Sequence, residues 1–506
     1  MKQTKIRCFS LLLLMLAARS GAQEYNSVPL DHAAYDVIAM GVIRGIILAP
    51  PAAKPWPLCT VKEKLWAIID DPAQILTSEE SETVFNVLDS FERKTGLVLQ
   101  DGRYRAEGGG FTFETGIGWK SDFFIRAPNA SFANTNMLEL YLGGDMVDLA
   151  SWNINPQAYA GWPDDPAFNY GLEAELNGAF YDRRLMLRLG RIHRGWGHDS
   201  GEASLFINAH SRPFTALEGT FAPLSWLNIS FLGGALERFG EEVLWPNDIP
   251  FTNVLSAAQI EFNPFMFIHL SIGGAAVLLK QPNMAFFTDL ELRLPGMFTL
   301  WGSLFVDRLN SSTENFFSMS GNSYAYQAGI KTIVHWLPLA AFTLRYTRVE
   351  PYCYTGGKNH PDSAFINGGD SLGYLPPNSD ELLLRFESML LSSLKAHVQF
   401  QMIRHGVDYG YGAVSGSSLY DTLDDDHAVK NFLVDGVYQW DSTIKLGGSC
   451  SFRAGGIPFS IYTETGLVIT NFTIGADNKA DNKPLSDSVY RPDTYFVFSV
   501  GFRIFS

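Results

Sequence analysis

Leu185 to Pro213 reads L-M-L-R-L-G-R-I-H-R-G-W-G-H-D-S-G-E-A-S-L-F-I-N-A-H-S-R-P. Leu185, Leu187 and Leu189 alternate with Met186 and Arg188, the period of two that gives a β-strand one apolar and one polar face. At Gly190 the alternation stops. Three Arg, three His, a Trp, an Asp and an Asn then crowd into a turn-rich connection.

The same unit recurs through most of the chain. Leu138, Leu140 and Leu142 alternate with Glu139 and Tyr141; Ala258, Ile260 and Phe262 with Gln259 and Glu261. Leu290, Leu292 and Leu294 alternate with Asp289, Glu291 and Arg293; Phe342, Leu344 and Tyr346 with Thr343, Arg345 and Thr347; Val398, Phe400 and Met402 with His397, Gln399 and Gln401. A soluble sandwich also has two-faced strands, but its strands average about five or six residues. Here the segments run to about 10 to 12, the length of a tilted membrane strand. Connections also alternate between short and long, as in outer-membrane barrels. Short ones fall at Asp182-Arg183, Pro223-Leu224-Ser225, Asn263-Pro264, Pro295-Gly296, Leu337-Pro338, Ser392-Ser393 and Gly455-Gly456. Long ones run over 147–167, 193–213, 239–252, 308–321, 350–379, 406–435 and 472–493.

This reading predicts an all-β transmembrane barrel of about 18 antiparallel strands over 103–506, with a weak second strand near Trp119 to Arg126. Phe496, Phe498, Val500, Phe502 and Ile504 alternate with Ser499, Gly501 and Arg503 in a closing strand, the kind that the barrel-assembly machinery handles during insertion. Phe505 precedes a final Ser506, a small departure from the common ending. Aromatic residues are 13% of the chain, enough for interfacial girdles at positions such as Tyr141, Trp301, Tyr346 and Phe496.

Residues 1–22 carry Lys2, Lys5 and Arg7, an apolar run from Leu11 to Ala18, and Ser20-Gly21-Ala22, the layout of a signal peptide. Export without a spanning helix, combined with the strand pattern, points to the cell outer membrane. Residues 23–100 have helical periodicity and form a predicted periplasmic bundle. Asp31 to Ile47 carries Tyr35, Ile38, Val42 and Ile46 on one face. Thr60 with Glu63, and Thr77 with Glu80, read as capping boxes that open two further helices. A bundle of this size buries too little surface to be stable alone and is expected to lean on the barrel. The formal charge of -15 argues against a nucleic-acid partner, whose phosphates would be repelled over much of the surface. Cys353 and Cys450 could be bridged or be ordinary thiols.

Strand parity makes His193 to Pro213 an external loop. Trp196 offers a flat apolar face for a sugar ring, and Arg191, Arg194, His198, Asp199, Asn208 and Arg212 offer hydrogen bonds to hydroxyls or carboxylates. The competing reading has Trp196 and Phe206 packing the loop while Arg and Asp pair to fix it. His193, His198, Asp199 and Ser200 are too close in sequence to converge as a catalytic set, and no nucleophile elbow is formed, so no enzyme activity is expected. No cofactor or metal is expected either. The acidic runs 421–426 and 477–481 lack the ligand spacing of a calcium loop.

Gly190-Arg191, Trp196-Gly197, Ser204-Leu205, Asn208-Ala209 and Arg212-Pro213-Phe214, followed by a strand ending Gly234-Ala235-Leu236-Glu237, resemble the capsule assembly Wzi family of outer-membrane proteins. Val28-Pro29-Leu30 and Pro55-Trp56-Pro57-Leu58 are similar to that family's start. The resemblance implies an eighteen-stranded barrel with a small periplasmic helical bundle, acting as a lectin for surface polysaccharide. Gly195-Trp196 stands where the family usually has paired Trp. The alternative function is a porin-like channel for small solutes, lined by Glu139, Arg188, Glu261, Asp289, Glu291, Arg293, Arg345, Arg385 and Glu387.

Overall fold

The structure is a computed structural model. It describes residues 25 to 505 apart from 92–98, 101–102, 109–110, 128–130, 147–148, 163–167, 199–201, 238–250, 280–281, 309–322, 357–362, 392, 409–413, 415, 422–435, 455–456 and 475–489. The predicted signal peptide and the acidic run 477–481 lie outside the described residues.

Among the described residues eighteen strands, from Phe111–Ala127 to Asp493–Phe505, pair antiparallel with their neighbours in chain order. The last closes on the first, from Phe496↔Ala127 to Phe505↔Gly118, so the sheet is a barrel without free edges. The early register differs from the sequence expectation. Phe111–Ala127 is one long strand, and Leu99–Gln100 and Arg103–Gly108 form a small hairpin against its first half. The predicted connection 147–167 contains a strand, Ala150–Trp162. Pro156 disguised it, because proline cannot donate to a ladder. Pairing with Ser131–Met146 is indeed interrupted there, between Leu142↔Ile154 and Glu139↔Gln157.

Burial is inverted relative to a soluble protein. Leu138, Leu189, Ile260, Leu290, Leu344 and Phe496 are exposed on the outside, while Glu139, Arg188, Glu261, Glu291, Arg293 and Arg345 are buried inside. An apolar exterior around a charged interior is the arrangement of a membrane barrel, and it excludes the soluble sandwich. Buried charge is tolerable only when compensated. Arg293 accordingly binds Glu291 through Nε (2.6 Å) and a terminal nitrogen (2.9 Å), and Arg345 meets Glu381 at 3.2 Å. Arg188 lies 3.2 Å from Glu218 and 3.5 Å from Glu175.

Three helices, α1 (Ala34–Ile43), α2 (Leu58–Ile69) and α3 (Ser78–Asp89), pack at the end where the short turns lie. α1 is apolar nearly all round because it is enclosed by the other helices and the barrel; it stops before Gly45, whose φ of 75° suits glycine. α2 starts earlier than predicted. Pro57 caps it in an extended conformation without a side-chain bond, so Thr60 and Glu63 form no capping box. α3 begins as predicted. The Thr77 hydroxyl accepts from Glu80 N–H at 3.2 Å, and Glu80 accepts from Thr77 N–H at 2.9 Å. The helical core is shared with Ile333, Leu339, Ala341 and Met389 of the barrel, which supplies the apolar surface that so small a bundle lacks. Gly296 N–H donates to Ile43 O at 3.0 Å, and Lys395 reaches Asp36 at 2.5 Å. Among the described residues Cys59, Cys353 and Cys450 form no disulfide.

Candidate functional site

The strand Leu185–Ile192 delivers the chain to the end opposite the helices, but the described residues of 193–213 do not stand away from the barrel. They fold into its mouth. Arg194 has no exposed surface; its guanidinium donates to the carbonyls of Gly190 (2.8 Å), Ile192 (3.1 Å), Phe214 (2.6 Å) and Ala216 (3.4 Å), and to Glu218 (3.3 Å). Burial lowers its pKa to about 10 and Glu218 opposes that fall, so the group stays charged at neutral pH. The site therefore ties both strand ends together around one cation.

Trp196 is also fully buried. Its backbone N–H donates to Ile207 O at 2.9 Å, its indole N–H donates to Glu218 at 3.0 Å, and its ring meets Phe206 edge-on. Phe206 stacks on Phe287 with centroids 4.4 Å apart and lies 6.1 Å from Phe305. Tyr354 and Phe365, from the connection after Val349, close the cluster on Phe305, and Tyr354 donates to Leu205 O at 2.6 Å. Burial holds the Tyr354 phenol well above its ordinary pKa, so it remains a donor.

This seating follows from the inward rows of the strands. Along Phe251–Phe265 the inward side chains pass from Leu255 and Ala257 near the mouth to Gln259, Glu261 and Asn263 near the helices. Along Asn283–Leu294 they pass from Glu291 and Arg293 at the helical end to Ala285 and Phe287 at the mouth. The apolar upper ring can be buried only if something apolar fills it, and Leu205, Phe206 and Ile207 do so. From the helical side, the linker after α1 climbs to meet the same loop. Lys54 and Gly195 exchange backbone hydrogen bonds at 2.8 and 3.1 Å, and Arg188 donates to Pro55 O at 2.8 Å.

The seven residues read from the sequence thus do not form one exposed patch. Trp196 and Arg194 lie in the long connection and are sealed in the mouth's apolar and ionic core, the packing role that the competing reading gave to Trp196 and to the loop's Arg. Asn208 is buried and shapes a turn, donating to Glu202 O at 3.0 Å and accepting from His210 N–H at 2.8 Å. Arg191 is half-buried and ion-paired with Glu237. His198 is half-buried, 3.6 Å from Glu291 and beside Trp301. Arg212 is exposed, its Nε 2.9 Å from Asp370. Asp199 lies outside the described residues. Sequence reading missed Glu202, which lies on the loop's lower side 2.7 Å from Arg385 and 3.8 Å from Arg345.

On the other side of the lumen the inward rows remain polar, with Asn153, Asn155, Gln157, Tyr159, Gln399 and Gln401 lining open space. A cavity of about 1860 Å³ remains between the loop and the helices, also reached by His193, His198, Glu202 and His210. Among the described residues no three His, Cys, Asp or Glu side chains are grouped to hold a metal ion.

No protein-family model and no curated protein matches the chain. Among solved structures it is similar to Wzi of Escherichia coli, described as an outer membrane protein involved in group 1 capsule assembly and a carbohydrate-binding β-barrel. The identity is 13%, 96% of this chain and 99% of that chain are covered, and the TM-score is 0.60. Similarity extends to OprD of Pseudomonas aeruginosa, at 13% identity over 78% of this chain and 95% of that chain, TM-score 0.44. OpdK of the same organism, solved with vanillate, is 10% identical over 78% of this chain and 99% of that chain, TM-score 0.47. At such identities the likeness is one of fold. The chain is an outer-membrane β-barrel with a Wzi-like fold.

Proposed function

We propose that this barrel binds polysaccharide at the cell surface through its external loops, without catalysing a reaction and without conducting solutes freely. The observation that carries this reading is the filled mouth. Trp196, Phe206, Phe287, Phe305 and Tyr354 form a core where a porin needs an opening, and buried Arg194 holds the loop in place. A loop fixed in this way is a preorganised platform, which limits the entropy lost on binding. Arg212 and Arg191 are the cations left for glycan carboxylates or hydroxyls, with Asp199 completing the proposed contact set, while His198 turns into the cavity beside Glu291. Arg194, Trp196 and Asn208 act by holding the loop. On this reading the helices lie in the periplasm, residues 1–22 are a removed signal, lipid surrounds the apolar band, and the barrel-assembly machinery inserts the chain. The likeness in fold to Wzi, a carbohydrate-binding barrel, supports the same direction.

A specific observation favours the channel alternative: the polar cavity of about 1860 Å³ beside the plugged half. Conductance and binding separate the readings. In a planar bilayer the purified barrel is expected to give no large steady current, and on an array of bacterial polysaccharides it is expected to retain at least one. A large steady current with a blank array would sink the proposal in favour of the channel. No current and a blank array would leave a structural surface protein.

A further inference from the structure

The helices carry a second surface that the polysaccharide reading does not use. α2 exposes Glu63, Trp66 and Ala67, with Asp70 just beyond its end, and α3 exposes Glu79, Glu82 and Phe85, in each case at the three- and four-residue spacing of one helix face, while Asn86 and Asp89 line the cavity. The two faces join. Trp66 and Phe85 meet edge-to-face with centroids 6.0 Å apart, yet remain 39% and 51% exposed. Ile75, in the connection between the helices, is 44% exposed as well. The opposite faces of both helices are buried: Val61, Leu65, Ile68, Val84, Val87 and Leu88 supply the module's own core. The aromatic pair is therefore surplus to folding.

Among the described residues the exposed charges around it are carboxylates, those of Glu63, Asp70, Glu79 and Glu82. The nearby Lys62 and Lys64 are half-buried, and Lys64 is engaged with Glu63 at 3.3 Å. An aromatic centre inside an acidic rim selects its occupant by charge. A second copy of the same face would bring like charges together, and an anionic lipid surface would be repelled. A segment that places an apolar stripe on Trp66 and Phe85 and basic side chains over the rim satisfies both.

We infer that the outer face of α2 and α3 is a docking surface for a basic amphipathic helix of a soluble partner on the same side of the membrane. The anchor is the Trp66 and Phe85 pair, with the acidic rim giving approach and orientation. The inference is independent of what the opposite mouth binds.

The test uses the full barrel in phosphatidylcholine nanodiscs and a fluorescent helical peptide of about fourteen residues, Leu on one face and Lys on the other. Saturable one-to-one binding is expected, weakening as salt rises, with a matched Glu-for-Lys peptide not binding. Trp66→Ser with Phe85→Ser should weaken it at least about tenfold, and Glu79→Gln with Glu82→Gln should weaken it and flatten the salt dependence. Both pairs are exposed, and unchanged heat-modifiable gel migration checks that each variant barrel is folded. Equal binding by the wild type and both variants overturns the inference, as does a signal reproduced by empty nanodiscs. Loss of wild-type self-association in the aromatic variant would assign the face to a second copy and overturn it too.

Discussion

The indole N–H of Trp196 donates to one oxygen of Glu218 at 3.0 Å, while the other oxygen of that carboxylate takes Arg194 at 3.3 Å and Arg188 at 3.2 Å. Glu218 is 3% exposed, so one buried anion orients the loop's ring and neutralises cations from the loop and from the barrel wall. Removing one member of such a set costs more than the pair was worth, because the remaining charges stay buried. Glu218→Ala is therefore expected to destabilise the mouth by roughly 3–5 kcal/mol. Limited proteolysis should cut between 193 and 213 in the variant and not in the wild type. Glu218→Gln keeps an acceptor for Trp196 and should fall between them. A loop equally resistant in all three proteins would show that the carboxylate does not hold it.

Trp196→Ala separates a structural tryptophan from a sugar platform. Emptying a fully buried site of this size costs about 3–5 kcal/mol, whereas truncating an exposed ring costs under about 0.5. Hydrogen exchange at the amide of residue 196, which donates to Ile207 O, and at that of Asn208, which donates to Leu372 O, should accelerate strongly. Exchange like that of the wild type would mean that the ring is not part of the core.

Much of the barrel was legible because a two-residue period survives any tertiary context in which one face meets hydrocarbon and the other does not. Glu139, Arg188, Glu261 and Arg293 were assigned inward by that period alone, and they are buried there. Ala150–Trp162 was hidden by Pro156, and the start of α2 by an attractive but unused Thr60 and Glu63. The mouth was harder. Loop 193–213 is rich in Arg and His, which suggested exposure, yet Ala203, Leu205, Phe206 and Ile207 within it are apolar. A second signal lay in the inward rows, which turn from Glu291 and Asp289 to Phe287 and Ala285 along one strand. An inward Phe at the level of the mouth requires a cover, and only a re-entrant loop supplies one. Tyr354 and Phe365 could not be paired with Phe305 in advance, since nothing local fixes how two long connections meet.

Arg212 tests the outer edge of the same loop. Its pair with Asp370 is exposed on both sides, and such pairs contribute under about 1 kcal/mol. Arg212→Ala should leave thermal unfolding nearly unchanged. Under the proposed function it should lower retention of whichever polysaccharide the wild-type array identifies, several-fold or more. Unchanged retention would remove Arg212 from the contact set while leaving the rest of the loop in play.

The most deeply buried carboxylate at the join between helices and barrel makes that join acid-sensitive. Glu80 is 3% exposed, binds Arg44 at 2.8 and 2.5 Å, caps α3, and accepts the N–H of Leu339 in a barrel turn at 3.0 Å. Burial alone would raise its pKa, but the Arg44 guanidinium and the N–H groups of Leu339 and Thr77 outweigh it and bring the value from 4.5 down to about 2. A carboxyl depressed in the folded state stabilises fully above its unfolded pKa and loses that contribution as pH falls through the interval to the folded value. Docking should therefore be constant above about pH 5 and lose up to ~3 kcal/mol between about pH 4.5 and 2. Protease cleavage of the linker between α1 and α2 at pH 5, 3 and 2 reads this out, using an acid-active protease throughout. Glu80→Gln leaves Arg44 buried without its partner charge, so it should release the helices already at pH 5 and show little further change on acidification. Parallel pH profiles for the two proteins would place the acid-sensitive contact elsewhere.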